Sequence, residues 1–175
     1  MDCLQAIQAR HSYRGPYSRT PVPDEHLRLI VEAGILAPSG YNGQTTSFVV
    51  VSDTALLEPI RRIAPDTQAL ATCPALIAVV MDAPEEIPAG RTFFGIEDYS
   101  AAVENMLLAA TALGYASVWF DGVLRSEGRA RLVGDLLGVP PQKEVRVLLP
   151  IGVPAEPLED HGRRPFEERA HWNGW

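Results

Sequence analysis

Apolar positions repeat along the chain with two different periods, and the pattern alternates between helix and strand. From Asp24, residues Leu27, Ile30, Val31 and Ile35 recur at helical spacing, with Asp24 and Glu25 in the first turn, where the helix dipole favours anions, and Pro38 as a stop. Leu4 and Ile7 mark one apolar helical turn near the N-terminus. The β-branched runs 47–52 and 75–81 read as strands buried on both faces, with a short helix over 55–63 between them. Stretch 98–113 is apolar nearly all round, leaving a narrow polar stripe of Ser100, Glu104 and Thr111. Such a helix is buried on most sides, between a sheet and another layer or against a second subunit. Gly114 follows as its left-handed cap. A strand over 116–119, a helix from an N-cap at Ser126 to a stop at Gly138, and a buried strand over 145–151 complete the pattern. Residues 163–175 are polar and aromatic with no core of their own, as in a tail that frays or docks on something.

The 175 residues are 46% hydrophobic and 21% charged, enough for one domain spanning 1–175 with a real core, and no stretch reads as a linker. A net charge of −7 argues against a nucleic-acid coat or a binder of anionic membranes. No apolar run reaches the ~18 residues of a membrane span, and Asp2 stands where a signal peptide would be basic. A cytoplasmic protein is expected. Cys3 and Cys73 lie too far apart for a CxxC pair or a zinc set and read as small buried residues in a reducing compartment. A phosphate-binding P-loop, a GxGxxG turn, an HExxH pair and a GxSxG elbow are all missing, so no metal site is expected. Glu97 and Asp98 are adjacent and do not face one another on a helix, which assigns them to the helix start.

The positive charge is unusual in kind, because every basic residue except Lys143 is an arginine. The guanidinium fork matches phosphate oxygens in a way that an ammonium does not. Arg10-His11-Ser12-Tyr13-Arg14 sets two arginines and a hydroxyl at alternate positions, on one side of a non-helical segment. Ala37 to Gln44 is a turn-rich passage whose glycines permit close backbone approach and whose Ser39, Asn42 and Gln44 suit a planar heterocycle. Trp119-Phe120-Asp121-Gly122 ends a predicted strand, and Gly162-Arg163-Arg164-Pro165-Phe166-Glu167-Glu168 stands near the C-terminus.

In this order and spacing the pieces resemble the FMN-dependent nitroreductase family. The resemblance spans nearly the whole chain: Arg-x-Ser-x-Arg at 10–14, Pro-Ser-x-x-Asn-x-Gln at 38–44, Glu-Asn-Met-Leu-Leu-Ala-Ala at 104–110, Gly-Tyr-Ala-Ser-Val-Trp at 114–119, and Ile-Gly-Val-Pro-Ala-Glu with the later Arg-Arg-Pro-x-Glu-Glu at 151–168. It implies an α+β fold, a mixed, mainly antiparallel sheet flanked by helices in an intertwined homodimer, with helix 98–113 in the dimer core and the tail wrapped on the partner. It implies FMN as cofactor, NAD(P)H as hydride donor, and a nitroaromatic, quinone or similar small molecule as acceptor. By the same resemblance Arg10 and Ser12, within a segment that includes His11, hold the phosphate and ribityl chain with Arg163 or Arg164. Arg14 lies at the N1 and O2 edge of the ring, Pro38, Ser39, Gly40 and Asn42 reach a flavin bound mainly by the other subunit, and the N–H groups of Asp121 and Gly122 face N5. No catalytic side chain is assigned, since the flavin carries the chemistry.

The same fold also serves flavin-dependent dehydrogenases and dehalogenases, and a non-catalytic FMN-binding or storage protein is a further alternative. Gln44-Thr45-Thr46 departs from the family's Gln-Pro-Trp. Residues 83–94 are the candidate cover over the flavin, with Phe93 and Phe94 either stacking on substrate or packing in the core. Around Asp66–Gln68, where the family often supplies an asparagine or lysine to the ring, Gln68 is the candidate substitute.

Overall fold

The run 75–81 forms the middle strand of an antiparallel sheet in a computed structural model that describes residues 1–63, 67–83 and 93–175. Strand β2 (Ala75–Asp82) pairs with β1 (Thr46–Val51) on one side and β3 (Lys143–Ile151) on the other. Its alternate residues go to two separate layers, as the period of a strand dictates. Leu76, Ala78 and Val80 face α3 (Thr54–Arg61), α4 (Gln68–Thr72) and α6 (Arg129–Leu136). Ala75, Ile77, Val79 and Met81 face α2 (Asp24–Ile35) and α5 (Gly95–Ala112). A helix α1 (Cys3–Ala9) leans on α5. Fully burying one Leu or Ile contributes about 1.5–3 kcal/mol, so β2, buried along nearly its whole length, anchors both layers.

The expected α+β class and the two central strands are as read. The edge differs. β1 is half-exposed with Val50 open to solvent, because only β2 pairs with it, so it is not buried on both faces. The expected strand 116–119 is reduced to isolated bridges, Ala116 to Gly152 and Phe120 to Leu148, which share one antiparallel register along β3. Pro150 lies opposite the middle of that pairing and has no N–H to donate, so the ladder breaks there. An isolated parallel bridge joins Ser12 to Ser117 beyond it, while the three strands themselves pair antiparallel.

Helix boundaries moved for local reasons. The helix expected from Ser126 starts at Arg129, because Glu127 and Gly128 both adopt left-handed backbone (φ 57° and 65°) and the chain must turn first. Helix α5 begins at Gly95, three residues before its expected start, and Gly114 caps it in left-handed conformation (φ 86°). Helix α4 carried too short a pattern to be expected. Cys73 is buried as read, but Cys3 is exposed on α1, whose Leu4 and Ile7 also face solvent. Burial pushes the Cys73 thiol up to about 11 and raises the Tyr17 phenol still further.

Candidate functional site

Segment 10–14 is fixed at both ends by its own chain. Asp2 and Gln5 form a reciprocal capping box at the start of α1 (both bonds 2.9 Å), which ends at Arg10 as the backbone turns extended. The Arg10 side chain is 17% exposed, with Nε 3.6 Å from Glu104 on α5. That contact is too long for a good hydrogen bond, so it orients the guanidinium and leaves its donors available. The Tyr13 N–H donates to the Ser117 carbonyl at 2.9 Å. Tyr13 itself is buried; its hydroxyl donates to the Pro16 carbonyl (2.5 Å) and accepts from the Glu156 N–H (3.2 Å). Ser12 and Arg14 flank it in sequence and, with Gln68, line a cavity of about 350 Å³ that Glu156, Glu159 and His161 share. His11 is half-buried on the same segment.

The passage 38–44 folds as a tight turn around a short 3-10 helix, Gly40–Asn42. Tyr41, Asn42 and Gln44 all take positive φ (52°, 55° and 50°), a conformation costly for side chains other than glycine. A Cβ on Gly40 would come within 2.3 Å of the Phe94 ring, so only glycine fits. Inside the turn the Ser39 hydroxyl accepts from the Gln44 N–H at 3.0 Å. From outside, Asp98 accepts from the Gly40 N–H (2.7 Å) through one carboxylate oxygen and from the Thr45 hydroxyl (2.8 Å) through the other. Thr45 thus has a definite partner where the family pattern carries proline. Pro38 and Ser39 line a small cavity of about 130 Å³ with Asp98, while the Asn42 side chain is exposed.

Beyond Phe120 the chain leaves β3 and enters a 3-10 turn, Gly122–Arg125. Among the described residues neither the Asp121 nor the Gly122 N–H has an acceptor, and nothing lies within 4 Å of where a Gly122 Cβ would stand. The Asp121 carboxylate is tied back by Arg125 (Nε 3.0 Å, Nη2 2.5 Å), which leaves the backbone edge open.

The fold brings segment 10–14 alongside the strand that leads to Asp121 and Gly122, and Gln68 beside Ser12 and Arg14. It does not bring Arg163 and Arg164 to them. Both arginines are exposed, and Arg163 donates only to its neighbour's carbonyl, Gly162, at 2.6 Å. Of the expected cover, residues 84–92 lie outside the described residues, as does Asp66. Phe93 packs against the α2 and α5 layer, and Phe94 packs on Gly40 and edge-on to Tyr41. Asp98 was expected only at a helix start. It does lie in the first turn of α5, but its carboxylate serves the loop. The available signal was an acid in phase with the buried Ala102 and Met106, since i, i+4 and i+8 share one helix face.

The sequence profile of the nitroreductase family matches residues 7–70 and 64–153, nearly the whole folded part. The chain belongs to the nitroreductase family. Within that family, it is 36% identical to an Archaeoglobus fulgidus protein provisionally named NADH dehydrogenase/NAD(P)H nitroreductase, over 99% of both chains. It superposes on a Bacteroides fragilis nitroreductase solved with bound FMN at a TM-score of 0.75 and 29% identity, covering 94% of this chain and 95% of that one. For a provisionally named nitroreductase from Desulfovibrio desulfuricans in complex with FMN, the TM-score is 0.83 at 30% identity, over 100% and 98% of the two chains. Among the described residues no helix is long and apolar enough to cross a membrane.

Proposed function

We propose that this nitroreductase-family protein is an FMN-dependent oxidoreductase that takes hydride from NAD(P)H and delivers it to a nitroaromatic, quinone or similar acceptor in alternating half-reactions. The observation that carries this reading is the donor set. Ser12, Arg14 and Gln68 share one cavity, and the bridged segment beside them, 116–120, leads to two backbone N–H groups without acceptors among the described residues. Serine hydroxyl, guanidinium, amide and free N–H groups suit a phosphate and a heterocycle rich in carbonyls and ring nitrogens. FMN, when bound, supplies the acceptance and return of hydride.

This chain's residues bind and orient the cofactor. Arg10 and Ser12, with His11 beside them and one of Arg163 and Arg164 joining them, hold the phosphate and ribityl chain. Arg14 would set a cation near the N1 and O2 edge, where it would stabilise the negative charge of the reduced flavin. The N–H groups of Asp121 and Gly122 would face N5. Pro38, Ser39, Gly40 and Asn42 approach the ring from the other subunit.

That division requires a homodimer. Pro38 and Ser39 line a cavity separate from the one at Ser12 and Arg14, so a second copy would have to bring the two together. Leu4 and Ile7 on α1, Ile96 on α5 and Trp172 in the tail (83% exposed) are apolar surface that a partner copy would cover. The whole span 1–175 then acts as one folding unit.

The test is to mix purified, FMN-loaded protein with NADH or NADPH without oxygen. Rapid bleaching of the flavin band, reversed by a quinone or nitroaromatic, is the expected result. A yellow protein that does not bleach with either donor defeats the reductase reading and leaves a flavin carrier.

A further inference from the structure

Asp98 is only 5% exposed, a carboxylate on the buried face of α5. Burial of such a group is tolerated only where hydrogen bonds replace water. Here the two bonds come from outside the helix: the Gly40 N–H at 2.7 Å and the Thr45 hydroxyl at 2.8 Å. No hydrogen bond from a helix N–H reaches this carboxylate among the described residues, and α5 has no side-chain cap at Phe94. Its bonds are therefore spent on the loop.

The two bonds bracket Tyr41, Asn42 and Gln44, three non-glycine residues held at positive φ within one turn. Residues in that region persist only when their surroundings over-determine them. Within the turn, the Gln44 N–H donates to the Ser39 hydroxyl, the Asn42 N–H to the Ser39 carbonyl and the Gly43 N–H to the Gly40 carbonyl, bonds that move with the turn; the Asp82 N–H reaches the Thr45 carbonyl at 3.3 Å and holds the turn's far end to β2, which leaves Asp98 as the tie at Gly40. Phe94 fills the position where a Gly40 side chain would stand, so the loop is pressed on one side and tied on the other.

We propose that Asp98 is a positioning residue of the flavin site: from the core of its own subunit it fixes the 38–44 loop in the single conformation that presents Ser39 and Asn42 to the ring bound mainly by the partner. This rests on the functional reading above. It adds that ring recognition by the loop is set by a carboxylate that itself touches no cofactor.

Three variants test it: Asp98→Ala, Asp98→Asn and Thr45→Val. Two readouts are taken, amide exchange across 38–45 in flavin-free protein, and titration with FMN and with riboflavin, which lacks the phosphate. Asp98→Ala is expected to speed exchange at Gly40 and weaken both flavins by about tenfold, the scale of losing hydrogen bonds to a charged group. Thr45→Val, which removes one bond and leaves the buried carboxylate in place, is expected to weaken both about threefold. Asp98→Asn keeps an acceptor for the Gly40 N–H and offers an amide N–H to the Thr45 oxygen, so it is expected to return both readouts close to the parent values.

An equal loss for FMN and riboflavin marks the ring as the affected contact. Faster exchange with unchanged binding of both flavins overturns the proposal, and so does an Asp98→Asn variant as weak as Asp98→Ala. If Asp98→Ala does not fold, Thr45→Val decides by the same two readouts. A parent protein that binds no flavin defeats the functional reading and the ring contact with it, while unchanged exchange in the variants defeats the pin itself.

Discussion

Both ends of the chain carry a pair of arginines, and the fold treats the two pairs in opposite ways. Arg10 and Arg14 stand on a segment fixed by a capped helix before it, a backbone bond to Ser117 within it and the buried Tyr13 hydroxyl beneath it. Arg163 and Arg164 stand on an exposed tail whose aromatic contacts among the described residues, Phe166 with Trp172 and His171 with Trp175, are internal to it. A cation that is already placed strengthens ligand binding by lowering the ordering cost; a cation on a loose tail must be ordered first. Arg10 is thus placed in one chain, Arg14 stands exposed on a fixed backbone, and the second pair waits for a surface to dock on.

The most severe way to break that comparison is to remove the tail. A protein ending at Leu158 is expected to keep the sheet, which receives no strand from the tail. It should run as a monomer by light scattering and bind FMN about a hundredfold more weakly, the scale of losing both a phosphate contact and the ordered interface. Unchanged FMN affinity would mean that segment 10–14 suffices alone. In that case the two pairs do not share a ligand.

Within the ordered pair the two arginines should separate by role. Arg10→Ala is expected to weaken FMN ten- to a hundredfold, as for loss of a charge-assisted bond to phosphate. Arg14→Ala should slow flavin reduction by NAD(P)H about tenfold with a smaller loss of binding, because a cation at the ring edge matters most when negative charge arrives there. Equilibrium titration and stopped-flow bleaching measure the two quantities separately, and equal losses in both would contradict the division. Arg163→Ala and Arg164→Ala, titrated side by side, then identify the tail arginine that reaches the phosphate.

These contrasts bear on what the sequence could reveal. Strands 75–81 and 145–151 were legible because residues buried on both faces leave one uninterrupted apolar run. Run 47–52 has the same composition and sits at the edge, since nothing local records how many neighbours a strand will find. The broken pairing at 116–120 was hidden because its cause, Pro150, lies some thirty residues away in another strand. Ser126 carries a good capping side chain, but the left-handed pair Glu127 and Gly128 overrode it. At the site, Arg10, Ser12 and Arg14 were legible from alternation within one segment. Asp98 was not, because its partners Gly40 and Thr45 lie more than fifty positions earlier in the chain.

The smallest expected effect extends the contrast from arginines to thiols and phenols. Cys3 is exposed on α1, while Cys73 is buried, and its thiol is pushed up from 9.0 to about 11 by that burial. At pH 8 a thiol reagent should therefore reach Cys73 only after unfolding, while Cys3, beside the α1 residues that a partner copy would cover, should label without unfolding in the monomeric protein ending at Leu158. The raised value also carries a pH dependence whose sign is fixed. The folded state holds the Cys73 proton more tightly than the unfolded chain does, so stability from this group is complete below pH 9 and falls as pH rises through 11. At pH 10 the loss is about 1.4 kcal/mol. Tyr17 shifts in the same direction, and its hydroxyl donates to the Pro150 carbonyl at 3.2 Å, so its ionisation adds to the loss at still higher pH. Tyr17 lies three residues after Arg14, and its N–H donates to the Thr72 hydroxyl at 2.8 Å, one residue before Cys73. Alkali should accordingly loosen segment 10–14 together with the core, which urea denaturation between pH 8 and pH 11 and amide exchange across residues 10–18 will show. A Cys73→Ala variant should flatten the part of that slope just above pH 9. If the slope there is unchanged, the buried thiol is not its source.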